Sequence, residues 1–145
     1  MVGRGKRYAV ADTAQQVVGG FLLAGPFVVT EEVWVLAGGM EWYHVLVTVL
    51  IVSGIGYGAL YKADDDRDPD QEAEVGGVPV RFVSLLLVAF GSVLVLAFAF
   101  GAPSTFASAA DVPAEAIPLA VLTLKAMCVG AIFSVVGAAT ADSVF

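Results

Sequence analysis

The chain contains one cysteine and one histidine in 145 residues. Cys128 therefore forms no intrachain disulfide, which excludes a disulfide scaffold. A single His44 cannot supply a bis-histidine haem within one copy. No zinc spacing, phosphate loop or Ser-His-Asp set occurs, and no nucleophile–base pair is visible, so no metal site, cofactor or enzymatic activity is expected. Charge is scarce too. Asp, Glu, Lys and Arg make up 14% of the chain, against about 25% in soluble domains. Seven basic residues face 14 acidic ones, for a net charge of −7, and no basic patch suited to nucleic acid is present.

Long apolar runs fill the space that charge leaves. The hydrophobic fraction is 59% and the mean hydropathy is +0.87. Four stretches run roughly over Thr13–Ala37, Trp42–Tyr61, Val80–Ala102 and Ala116–Ala141. A helix rises ~1.5 Å per residue, so about 20 apolar residues cross ~30 Å of hydrocarbon. The expected fold is all-α: a polytopic membrane protein with one integral domain over residues 1–145, a bundle of four transmembrane helices in the lipid bilayer.

The cations set the orientation. Arg4, Lys6 and Arg7 precede the first stretch, and Lys62, Arg67 and Arg81 flank the second connection, while the first and third connections have none. The positive-inside rule then predicts cytoplasmic N- and C-termini and a multi-pass protein of the cell membrane. A cleaved signal peptide is not expected. The first stretch is too long, and Pro26, Glu31 and Glu32 interrupt it. The second connection, about residues 62–79, is acidic. An EF-hand loop starting at Asp64 would need Gly at its sixth position and Glu at its twelfth, but Pro69 and Val75 stand there. A solvated cytoplasmic loop is the expectation, suited with the pI near 4.4 to a very salty cytoplasm.

Several residues are expensive in lipid. Glu31 and Glu32 fall in the first stretch and Lys125 in the fourth. On straight helices they would lie roughly 8–10 Å and ~13 Å below the outer surface, close enough to pair. Adjacent helix residues point about 100° apart, so only one glutamate would face Lys125. Either the pair staples two helices, or the acids line an ion or proton path, with Thr30 adding a hydroxyl ligand. Gly25-Pro26 predicts a kink or break, because proline frees the carbonyl of Leu22. Gly54 and Gly58 form a G-x-x-x-G pair, and Gly130 and Gly137 add small positions for close helix packing. Trp34, Trp42 and Tyr43, with His44 among them, read as an interfacial belt.

The segment Gly25-Pro26-Phe27-Val28-Val29-Thr30-Glu31-Glu32-Val33-Trp34 resembles the Pro-x-x-x-Thr-x-Glu-x-Trp signature of the integral membrane proteins called domain-of-unknown-function family 2391. The acidic Tyr61-Lys62-Ala63-Asp64-Asp65-Asp66 run and the end Gly137–Phe145 resemble its short haloarchaeal members. The resemblance covers nearly the whole chain. It implies a halophilic archaeal membrane protein and singles out Thr30, Glu32 and Trp34 over Glu31. It implies no biochemical activity.

Two functions follow as expectations. The first is a homo-oligomeric channel or transporter for a small inorganic ion or proton, with Glu32 as the site carboxylate and Glu31 and Lys125 tuning it. Four short helices enclose little volume, so a polar path is easier to build between copies. The second is a non-transporting scaffold or accessory subunit in which the charges only staple helices.

Overall fold

The computed structural model describes residues 10–62, 67–71 and 73–144. The basic residues Arg4, Lys6 and Arg7 and the aspartates Asp64, Asp65 and Asp66 lie outside the described residues. The structure is mostly helical. Its elements are α1 (Val10–Val28), α2 (Glu31–Gly38), α3 (Trp42–Tyr57), α4 (Val80–Ala99), α5 (Ala102–Phe106) and α6 (Ala116–Val144). Apolar residues in lipid have no water to satisfy their backbone, so the helix is the form in which each segment bonds itself.

Trp42–Lys62, Val80–Ala99 and Ala116–Ser143 are each long and apolar enough to cross a membrane. The α1 and α2 helices meet that test only together, and they bend by 81° at their junction. Among the described residues there are thus three helices able to cross a membrane, or four spans if the bent pair counts as one, the pattern of a membrane protein. Residues 13–37 are not the single continuous helix that their hydropathy predicts. The third stretch also stops early, at Ala99. Gly101 takes φ +66 there and starts the short α5.

Proline alone does not place the break. Pro26 stays inside α1, and the chain turns at Val29-Thr30. The last carbonyls of a helix need partners, and here two side chains beyond the turn supply them. The Thr30 hydroxyl donates to the Phe27 carbonyl at 2.9 Å. The Trp34 indole N–H donates to the Val28 carbonyl at 2.8 Å. Pro26, Thr30 and Trp34 thus act together in ending α1 and aiming α2 across it.

Trp34 is fully buried, stacked near Phe106 with ring centroids 6.0 Å apart. It is a core residue and not part of an interfacial belt, because its N–H is needed inside to satisfy the turn. Trp42, Tyr43 and His44 are exposed, as a belt requires.

The bundle has two ends. The starts of α1 and α4 and the end of α6 meet at one, here the near end. The longest interfaces join α6 to α1 and to α4. The α1–α6 contact is backbone on backbone: a Cβ added at Gly19 would collide with the Gly137 carbonyl, and one at Gly137 with that of Gly19. Gly130 lies against Val93. Gly54 and Gly58 differ from the packing expectation, since a Cβ at either meets nothing within 4 Å. The glycine that α3 uses inside the bundle is Gly56, against Leu85 and Val135. Helical spacing turns it away from its two neighbours in the motif.

One apolar cluster fills the far half around Trp34, Val93, Ala97 and Leu122. A second fills the near half around Val52, Leu60, Leu85 and Val135. The end of α3 widens into a π-helical turn, Gly58–Lys62. The acidic connection is not wholly irregular. Glu74–Val75 and Val78–Pro79 pair as a small antiparallel hairpin. Gly76 and Gly77 take φ +60 and +85, the positive angles that a two-residue hairpin turn requires.

Candidate functional site

Polar side chains gather in two places. The first is a clamp at the near end. Arg81 opens α4 and is 2% exposed. Its Nη1 donates to Asp142 Oδ1 at 2.7 Å, and its Nη2 to Asp12 Oδ2 at 3.2 Å. The fully buried Gln16 donates from Nε2 to Asp142 Oδ2 at 3.0 Å and to the Arg81 carbonyl at 3.3 Å. Ser84 donates to Gln16 Oε1 at 2.6 Å and lies 3.3 Å from the Thr13 hydroxyl. Both oxygens of Asp142 are thereby engaged, and α1, α4 and α6 are tied at one level.

Sequence reasoning missed this clamp. Counted by position, Arg81 belongs with the cations of the connection. The structure puts it in the first turn of α4, buried against two carboxylates. Gln16 and Asp142 stand in otherwise apolar runs. The legible signal was that such residues must find partners.

Polarity continues partway into the core. Ser134 donates to the Gly20 carbonyl at 3.1 Å. Ser92, close beside Gly20, is buried and has no hydrogen-bond partner at its hydroxyl. Beyond it the described core is apolar except for buried Thr123, whose hydroxyl donates to the Leu119 carbonyl of its own helix at 2.7 Å. Within one copy, the polar residues do not run from end to end.

The second place is a groove of about 990 Å³ in the far half, between α2, α3 and α6. Phe27, Thr30, Glu32, Met40, His44 and Phe133 are among its lining residues. Phe27 and Phe133 stack with centroids 3.9 Å apart and planes 14° from parallel. Glu32 sits in the first turn of α2, where a carboxylate also opposes the positive end of the helix dipole. Its side chain is exposed and lines the groove, whereas Glu31, also exposed, does not. The Glu41 backbone N–H donates to His44 Nδ1 at 2.9 Å. That bond leaves the imidazole proton on Nε2. No lysine or arginine is among the described residues that line the groove.

Lys125 is elsewhere. It borders a separate pocket of about 290 Å³ with Gly38, Val112 and Ile117. It pairs with neither Glu31 nor Glu32. The pairing argued from depth assumed one straight helix through residue 37. The 81° bend carries α2 sideways, so its start faces α3 and only its end, at Gly38, approaches Lys125. The structure brings Thr30, Glu32 and His44 together and leaves Lys125 out.

No family model, curated protein or solved structure matches the chain. The function is therefore argued from this geometry.

Proposed function

We propose that the protein is a multi-pass protein of the cell membrane that takes up and moves a cation or proton at Glu32, working as a homo-oligomer. One observation carries this reading. Glu32 is a carboxylate on an apolar groove with no lysine or arginine among the described residues that line it. A charge among apolar groups at membrane depth is costly unless water or a cation meets it. Thr30 lines the same groove and offers a hydroxyl oxygen. Glu31 adds negative charge from the same turn, and Lys125 has no part.

The core beyond Ser92, apolar but for a Thr123 whose hydroxyl is bonded within its own helix, favours a route along the groove and the boundary between copies over one through a single bundle. The open Gly54 and Gly58 face of α3 supports packing of a second copy there. Lys62 and Arg67 lie at the near end with the starts of α1 and α4, which supports cytoplasmic termini. The Pro26, Thr30, Glu32 and Trp34 pattern is the basis for placing the chain with family 2391.

A second reading, the non-transporting scaffold, is favoured by the clamp, whose buried charges are mutually satisfied. Flux of H⁺, Na⁺ and K⁺ into liposomes separates the two. Transport predicts flux that falls at least about tenfold in Glu32→Gln and is unchanged in Lys125→Met. No flux from folded wild type would leave the scaffold.

A further inference from the structure

We propose that the groove binds lipophilic organic cations: molecules with one positive centre on an apolar body, held with Glu32 as counter-ion. This rests on the reading of Glu32 as a cation site and names the class of cation.

Size points first to an organic ligand. About 990 Å³ stands at the top of the range of about 300–1,000 Å³ typical of pockets for drug-sized molecules. A bare metal ion needs several oxygen ligands to replace its water. The groove offers the Glu32 carboxylate and the hydroxyls of Thr30 and Thr48. Both hydroxyls donate to backbone carbonyls, at Phe27 and Val45, which leaves their oxygen lone pairs free, but three ligand groups fall short of the roughly six such an ion takes. The remaining surface is apolar, with Val33, Leu36, Val129 and Ile132 among its walls. Such a lining compensates less well for the hydration of a small ion held there than for that of a large one. It suits a cation whose charge is spread and shielded by hydrocarbon.

Charge decides the sign. Glu32 is the one carboxylate among the described lining residues, and His44 uses its Nδ1 to accept the Glu41 N–H. An anion gains nothing from that pattern. The stacked Phe27–Phe133 pair adds aromatic surface, which attracts cations through the ring quadrupole. Access is lateral. Val35, Leu36, Val47 and Phe133 line the groove and are also exposed on the outside of the bundle. A ligand dissolved in hydrocarbon reaches Glu32 without crossing the core.

The probe is tetraphenylphosphonium, measured by equilibrium dialysis against the purified full-length protein in detergent. Tetraphenylborate, of nearly the same shape but opposite charge, is measured beside it. The wild type is expected to bind the cation saturably and at least about tenfold more tightly than the anion. Glu32→Gln is expected to erase that preference, and Glu31→Gln to keep it. The ion comparison is made on wild type, so it stands even if a variant folds poorly. Equal affinity for both ions would overturn the proposal and make the groove a site for an uncharged chain such as a lipid tail. Absent phosphonium binding, with Glu32-dependent flux of H⁺ or alkali cations intact, would also overturn it while the cation reading of Glu32 survives. Absent binding together with absent flux would remove both.

Discussion

Truncating Asp142 should be the most damaging single change in the near half of the bundle. Its carboxylate is completely enclosed and accepts from Arg81 at 2.7 Å and from Gln16 at 3.0 Å. Asp142→Ala leaves a guanidinium and an amide without these acceptors. Breaking a buried ion pair by removing one partner costs about 3–5 kcal/mol. Arg81 keeps Asp12, whose side chain is 21% exposed and 3.2 Å away, so the lower end of that range, about 3 kcal/mol, is expected. Removing the charge from both sides is different. In Arg81→Met/Asp142→Leu no buried charge is orphaned between the two, and much of the loss should return. Asp12 can turn outward. The assay is equilibrium unfolding in mixed micelles, followed by helical circular dichroism on wild type, both single variants and the double. Two results would refute the reasoning: a loss below about 1 kcal/mol in Asp142→Ala, or a double variant whose loss is the sum of the singles.

Other outcomes follow from the turn and the helix contacts. Trp34→Phe keeps the aromatic bulk but leaves the Val28 carbonyl without its donor, and should cost about 1–3 kcal/mol in the same unfolding assay. Thr30→Val removes the hydroxyl that reaches Phe27, with an expected loss of about 1 kcal/mol; no change in either variant would mean that the turn after α1 is held by something else. Gly137→Ala should destabilise by about 1–3 kcal/mol, since the added methyl meets the Gly19 backbone. Gly54→Ala and Gly58→Ala should leave the monomer within about 0.5 kcal/mol, and any effect should appear in cross-linking of copies.

Glu31 and Glu32 show how far adjacency in sequence carries. Both are acidic, next to one another and in the first turn of the same helix. Helical spacing alone required that they face different ways. Which of them meets the groove depends on where α2 points, and that depends on the turn at Thr30. The clamp was less legible for a related reason. Its bonded partners among Asp12, Gln16, Arg81 and Asp142 stand as many as 126 positions apart, as in the Gln16–Asp142 bond. Each sits near the end of an apolar run, where a polar residue is unremarkable until three helices are superposed at that level. The hairpin at Gly76-Gly77 was readable in principle, because two glycines between extended residues are a turn signal, yet the acidic composition around it reads as loop.

By itself the sequence determined the solvent and the element type. Runs of Leu, Val, Ala and Phe about 20 residues long admit one low-energy form in hydrocarbon, the self-bonded helix. It also carried the cation bias and the scarcity of cysteine and histidine that leaves no intrachain disulfide and no bis-histidine haem within one copy. Only the tertiary structure decided which polar groups meet. A hydrogen bond from Trp34 to Val28 and one from Thr30 to Phe27 turn the chain by 81°. That turn separates Glu32 from Lys125 and opens the groove. Hydropathy sums over residues one by one, whereas a turn is set by a few donors finding particular carbonyls. The same difference explains why Arg81, a loop cation by position, became the buried centre of a three-helix clamp.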